Sequence, residues 1–274
     1  MEEIVSKDNS RIRAYHKLAS SRKERQQEGA FVIEGDKLLG EALRCGLEIR
    51  RVFATREWLS EPREELLAGL GSTPVSLVDG AARQRLSQFP SPQGVWAICS
   101  MLDNPVNPDK MNSNGALLGL WNLQDPGNVG TMIRTADAMG LDGVVLSREC
   151  CDLYNMKTLR AAMGSLFRMP VLVTDMEDFL HRYRGQLTSY AAVVGEATPL
   201  TEVSFPGRSV ILIGNEGNGL SAHQAACCDS RITIPMTGRA ESLNAAMAAT
   251  ILMWELSRSR MGKNCPERSN HETN

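Results

Sequence analysis

Asn128, Arg134, Glu216, Ser242 and Asn244 are polar side chains set beside apolar runs and glycine-rich turns, and together they could bind, orient and charge-stabilise a substrate. A guanidinium with a pKa above about 12 keeps its charge, so Arg134 suits holding a phosphate and lowering a neighbouring hydroxyl's pKa better than accepting a proton. Asn128 and Asn244 each offer a donor and an acceptor. Glu216 lies inside GNEGNG, where Gly214, Gly217 and Gly219 let main-chain groups approach a ligand closely. This loop lacks the Gly-Lys-Ser/Thr of a phosphate loop and is not the Gly-x-Gly-x-x-Gly of a dinucleotide fold, which leaves a nucleotide-dependent enzyme without its lysine. Plainer roles exist for each residue: Asn128 and Asn244 as helix caps, Arg134 as a solvated charge, and the glycine loop as a turn before a helix capped by Ser221. The residue types alone leave both sets of roles open.

Such groups need a frame. Apolar strands are predicted at Leu117–Trp121, Gly143–Leu146, Val171–Thr174, Tyr190–Val194, Val210–Ile213 and Arg231–Ile234, alternating with helices, which implies a mostly parallel sheet. Ligands of such sheets bind at the carboxyl ends of the strands. Asn128 is the expected N-cap of a helix whose buried stripe is Val129, Met132, Ile133, Ala136 and Gly140, with Arg134 outside it. The last helix is expected from near Ser242. It is apolar on almost every face from Leu243 to Trp254 and calls for cover on more than one side, by the sheet or a second subunit.

The first hundred residues read as a smaller α/β module, with strands at Phe31–Ile33, Arg51–Ala54, Val75–Val78 and Val95–Cys99 and helices at Gly35–Arg44, Glu57–Leu70 and Gly80–Gln88. A Pro/Asn/Asp/Gly-rich stretch marks residues 101–115 as a linker between a domain at 1–100 and one at 116–262, and residues 263–274 read as a disordered tail. The formal net charge is -2, so a nucleic acid would have to be gripped by a local patch. Arg11, Arg13, Lys17, Arg22, Lys23 and Arg25, opposed only by Glu24, form such a patch for RNA phosphates; a solvated amphipathic helix is the alternative. Seven cysteines without Cys-x-x-Cys spacing are expected to be reduced thiols in a cytoplasmic protein, and four scattered histidines suggest no metal site. The polar start and the lack of a long apolar run predict neither secretion nor a membrane span.

DPGNVGTMIRTADAMG, VILIGNEGNGLS and IPMTGRAESLN, in this order, resemble the three motifs of the SpoU (TrmH-like) RNA ribose 2′-O-methyltransferases, and DLYNMKTLRAAMGSLFRMPV is similar to the segment linking them. Residues 4–43 are similar to the ribosomal-protein-like RNA-binding module fused to many of these enzymes. The resemblance implies an α/β fold of SPOUT type, a mostly parallel sheet whose C-terminal part is tied in a trefoil knot, beside the smaller N-terminal domain. It implies S-adenosylmethionine held by Gly214, Asn215, Gly217, Ile234, Met236 and Leu243, a homodimer, and no metal. It also implies that Asn128 positions the ribose or Arg134, that Glu216 orients the guanidinium, and that Ser242 and Asn244 shape the transfer pocket. The final helix departs from the family in having AAMAAT where a Val-Ser-x-Ala-x-Ala run is common. Ribosomal RNA is the expected substrate. Transfer RNA, or a non-catalytic role as an RNA-binding ribosome-assembly factor, are the alternatives.

Overall fold

The structure, a computed structural model, describes residues 2–87 and 92–260. The predicted tail and the end of the predicted helix at Gln88 lie outside the described residues. Two sheets carry the chain. The first is built from β1 (Glu2–Ile4), β2 (Ala30–Glu34), β3 (Ile49–Ala54), β4 (Val75–Val78) and β5 (Val95–Ser100) in the order β1-β4-β3-β5-β2, with β5 antiparallel to both neighbours. Around it pack α1 (Ser10–Ser20), α2 (Arg22–Glu28), α3 (Asp36–Arg44), α4 (Arg56–Ser60), α5 (Glu64–Leu70) and α6 (Gly80–Leu86). The single helix expected over 57–70 is therefore two. Pro62 forces the preceding Glu61 into extended backbone (φ -82°, ψ 150°), which ends the first helix at Ser60.

The second sheet contains β6 (Ala116–Leu120), β7 (Gly143–Ser147), β8 (Val171–Thr174), β9 (Thr188–Ala192), β10 (Thr198–Pro199), β11 (Ser209–Ile213) and β12 (Ser230–Thr233). Its order is β10-β12-β9-β11-β6-β7-β8, and every pairing between these strands is parallel. β6, β7 and β11 are buried along their whole length, as a sheet covered on both faces requires. Leu118, Leu120, Leu146 and Ile213 face one side with Val129, Ile133 and Leu252; Leu117, Val145 and Leu212 face the other with Phe179 and Ala225. The first face is covered by α7 (Pro126–Ala138), α8 (Met156–Ala162) and α11 (Ala245–Arg258), the second by α9 (Met176–Arg182) and α10 (Ala222–Ala226).

Two helix starts differ from the sequence reading. α7 is capped by Asp125, whose carboxylate accepts the Asn128 N–H at 2.7 Å, so Asn128 lies in the first turn with its side chain free for other work. Asp125 precedes a proline already preset for helix, which moves the cap three residues earlier. α11 begins at Ala245, capped by Asn244, and Ser242 lies outside it. Of the predicted α7 stripe, Val129, Met132, Ile133 and Ala136 are buried. Gly140 instead sits beyond the helix end, exposed, at φ +68°, a left-handed position that glycine fills without strain.

The two sheets share one continuous apolar core. Phe31 of β2 stacks at 4.7 Å on Tyr154 and at 6.0 Å on Phe167, and the Leu102 N–H donates to the Tyr154 hydroxyl at 3.2 Å. Arg25 of α2 is 3% exposed and forms an ion pair with Asp152 while also donating to the carbonyl of Leu18. Arg168 bridges Glu41 at 2.9 Å and Asp137 at 2.6 Å.

Candidate active site

Because all strands of the second sheet run the same way, their carboxyl ends share one edge. Three connections leaving that edge converge. Glu216, in the loop after β11, accepts the N–H of Gln124 at 3.1 Å and of Asp125 at 2.9 Å, and the Asn128 side-chain amide at 3.3 Å. The Asn128 carbonyl oxygen in turn accepts from the Asn244 side-chain amide at 3.2 Å. Asn244 closes the series by accepting the N–H groups of Ala246 and Met247 at 2.9 and 3.3 Å. One polar relay thus joins the loop after β11, the start of α7 and the start of α11. Burial pushes the Glu216 carboxyl up, but the N–H groups of Gln124 and Asp125 outweigh it and hold the pKa below the ordinary value. Glu216 is therefore an anion at neutral pH.

The expected pairing of Glu216 with Arg134 is not formed. The carboxylate is engaged by the α7 entry turn, and Arg134 lies six residues beyond Asn128, about 9 Å further along the helix axis at 1.5 Å per residue. Arg134 is exposed and makes no hydrogen bond or ion pair among the described residues, so its charge is available to a ligand. Ser242 is likewise exposed on the connection into α11.

Beside the relay is a cavity of about 420 Å³ whose lining includes Gly214, Asn215, Gly217, Ile234, Met236 and Leu243, all six residues expected to hold a cofactor, together with Glu216 and Ser242. Its glycine loop is a closed backbone structure. Asn215 and Gly219 exchange N–H···O bonds of 3.1 and 2.8 Å, and the Asn215 side chain accepts the Gly217 N–H at 2.9 Å while donating to the Asn122 carbonyl at 2.9 Å. A Cβ on Gly214 would meet the Gly219 and Leu220 backbone at 2.2 Å. Glycine is required there for this close approach, and Gly219 for its φ of +65°. The wall combines this main-chain cradle with half-exposed Met236 and Leu243. S-adenosylmethionine, with an apolar-faced adenine and hydrogen-bonding edges, fits such a donor set.

Sequence reasoning missed Asn122, Gln124 and Asp125. Asn122 adopts φ +62°, and together these residues present the N–H groups that fix Glu216 and the carbonyl that fixes Asn215. An Asn three residues before Asp-Pro-Gly, a residue type that tolerates left-handed backbone, was the available signal. Of the six basic residues proposed for RNA, Arg25 is a correction: it is buried against Asp152 and has no free face for a phosphate. Arg11 pairs with Glu2. Arg13 and Lys17 line a surface cleft of about 580 Å³ with Arg50 and Arg51, and Arg22 and Lys23 are exposed on α2. The six described cysteines are free thiols, Cys265 lying outside the described residues. One histidine does have possible ligand neighbours: atoms of Glu177, His223 and Cys227 come within 4.8 Å of one another at the surface. No helix of the described residues is long and apolar enough to cross a membrane.

Residues 115–254 match the model of the SpoU rRNA Methylase family, and residues 9–97 that of an MRM3-like substrate binding domain. The chain is 32% identical to the 23S rRNA (guanosine(2553)-2'-O)-methyltransferase RlmP of Bacillus subtilis over 93% of its own length and 99% of that protein's. It is 29% identical to the 23S rRNA (uridine(2479)-2'-O)-methyltransferase of Streptomyces viridochromogenes, covering 94% of this chain and 92% of the relative. Its fold matches the crystal structure of an AdoMet-bound rRNA methyltransferase from Sinorhizobium meliloti with a TM-score of 0.84, at 29% identity, over 95% of this chain and 99% of the other. With the sheet, the polar relay and the glycine cradle all in place, the chain belongs to the SpoU rRNA methylase family.

Proposed function

We propose that this protein transfers the methyl group of S-adenosylmethionine to a ribose 2′-hydroxyl of ribosomal RNA. The observation that carries this reading is the Glu216–Asn128–Asn244 relay at the mouth of the glycine-cradled cavity. The cofactor supplies an electrophilic methyl on a sulfonium that departs as a neutral thioether. The chain's part is alignment and charge. Asn128 spends one amide hydrogen on Glu216 and retains a second for the ribose, while Asn244 and Glu216 fix its rotamer. Arg134 holds the target phosphate and stabilises the alkoxide that develops on the hydroxyl, the proton passing to phosphate or water.

Met247, Ile251 and Trp254 recur on one face of α11 at 54%, 40% and 50% exposure, an apolar stripe suited to a second copy, and a homodimer is part of the proposal. So is the trefoil threading, supported by the lining of one cavity by Ile234, Met236 and Glu241–Leu243 together with the loop at 214–219. The N-terminal module, taken as residues 1–100 joined by 101–115 to 116–262, grips RNA through Arg13, Lys17, Arg22 and Lys23. We place the protein in the cytoplasm, a compartment in keeping with six free thiols among the described residues.

Transfer of radiolabelled methyl from S-adenosylmethionine to total ribosomal RNA and, separately, transfer RNA tests this. Alkali-resistant label on ribosomal RNA, lost in Arg134→Ala, is expected. Label on transfer RNA alone would redirect the substrate, and cofactor binding without any label would favour a non-catalytic role.

A further inference from the structure

A second, smaller cleft of about 160 Å³ opens on the same carboxyl edge, at the junction of the two modules. It is lined by buried Leu146 and Cys150, by Tyr154, Asp152 and Val173, and by Arg22 and Gln26 of α2. Leu146 and Val173 are register partners on β7 and β8, so the cleft lies one to two strands, about 5 to 10 Å at 4.8 Å per strand, from β6 and the start of α7. A short segment, Asn122–Gln124, separates it from the reaction site and serves both. Toward the cleft, the Asn122 N–H donates to Ser147 at 3.0 Å, Gln124 donates to the Glu149 carbonyl at 2.7 Å, and Leu123 accepts the Cys151 N–H at 2.8 Å. Toward the reaction site, Gln124 binds Glu216. The gap between the modules is fixed from below by the buried Arg25–Asp152 pair.

We propose that this cleft receives an unstacked base of the substrate RNA, within one nucleotide of the methylated ribose. The inference rests on the methyltransferase reading. Three observations favour a base over other occupants. The cleft is small and largely apolar, which suits a flat heteroaromatic ring and excludes a folded partner. Its lining includes a guanidinium and an amide, the groups that read base edges and phosphates, and its carboxylate, Asp152, is paired with Arg25. Val173 is a large apolar side chain left 43% exposed on an edge strand, although the core nearby is closed. In this arrangement the cleft selects the sequence around the target, and the Arg25–Asp152 pair is a positioning element that keeps its two walls in register.

The test fills the cleft with Val173→Trp, a change at an exposed position outside the apolar core. Single-stranded decamer RNA carrying one 2-aminopurine reports base insertion by fluorescence, and anisotropy reports overall binding. Wild type should change the probe's emission, and the variant should not, with unchanged melting temperature and S-adenosylmethionine affinity. On stem-loops carrying the methylated nucleotide, mapped by alkaline resistance, the variant should raise KM for RNA about tenfold, in line with the loss of one stacked base. Removing the base at the mapped position or one step to either side should cost wild type a similar factor at one of the three, and cost the variant nothing there. This identifies which base enters. A folded variant with wild-type fluorescence and KM, or equal abasic penalties in both proteins, overturns the proposal. Wild-type protein that binds the cofactor, changes probe emission and labels no RNA overturns the methyltransferase reading and leaves base insertion standing.

Discussion

The two sheets put polar residues to work differently. In the all-parallel sheet, seven strand ends share one edge, so loops more than a hundred residues apart in sequence meet, and Asn128 reaches Asn244 at 3.2 Å. There the function is geometric, because individual atoms must sit within hydrogen-bonding distance. In the five-stranded sheet, antiparallel β5 alternates the edges, and the residues of interest are cations spread over α1, α2 and the adjoining sheet face. There the function is electrostatic and summed over several charges. Damage to the first region should be local and steep, and damage to the second graded and sensitive to salt.

The largest expected effect falls between the two regions. Asp152→Ala leaves Arg25 buried without its partner and should destabilise the protein by about 3–5 kcal/mol, read as a lower denaturation midpoint. A loss under about 1 kcal/mol would mean that the modules are not held by this pair. Arg134→Ala should lower methyl transfer by about 10²–10³, as removal of one transition-state donor does elsewhere, with the melting temperature unchanged because the side chain has no partner in the fold. Equal loss of stability would contradict a purely functional role. Asn244→Ala should cost about 1 kcal/mol of stability through the lost cap and also lower activity, because Asn128 loses its tether.

Charge removal sharpens the other side of the contrast. Arg13→Ala with Lys17→Ala should weaken RNA binding and reduce the slope of log affinity against log salt by about 1.4 for single-stranded RNA, leaving cofactor affinity as it was. Parallel loss of cofactor affinity would erase the division between regions. The smallest effect concerns pH. Glu216 has a folded-state pKa below its ordinary value, so its contribution to stability is complete above the ordinary carboxylate range and is lost as pH falls through the lowered folded-state value. The stability difference between wild type and Glu216→Gln should be flat from pH 5 to 8 and shrink only in more acidic solution.

Much of the frame was legible in the residues. The sequence patterning placed β4 and β8 at their observed ends, and the other named strands of both sheets within two residues, because most of these strands are apolar runs bounded by turn residues. Glu2–Ile4 and Thr198–Pro199 escaped notice, being too short for a periodic signal. Gly214, Asn215, Gly217, Ile234, Met236 and Leu243 were legible as a group only through the motifs they share with a family, and the structure brings all six to one cavity. The roles inside the site were harder to read. That Asp125 caps α7 and frees Asn128 depends on a backbone turn, and that Glu216 faces Gln124 and Asp125 instead of Arg134 depends on how two loops pack.

The sequence by itself determined the α/β alternation, the glycine cradle and the family, because these follow from local periodicity, backbone freedom and contiguous motifs. Only the tertiary structure decided that Arg25 belongs to Asp152 and not to a phosphate, that Asn128 bridges Glu216 and Asn244, and that a cleft opens between α2 and β7. The physical reason is distance along the chain. Partners 88 to 127 residues apart leave no periodic trace, and their meeting is set by the parallel order of the strands and the packing of the two modules.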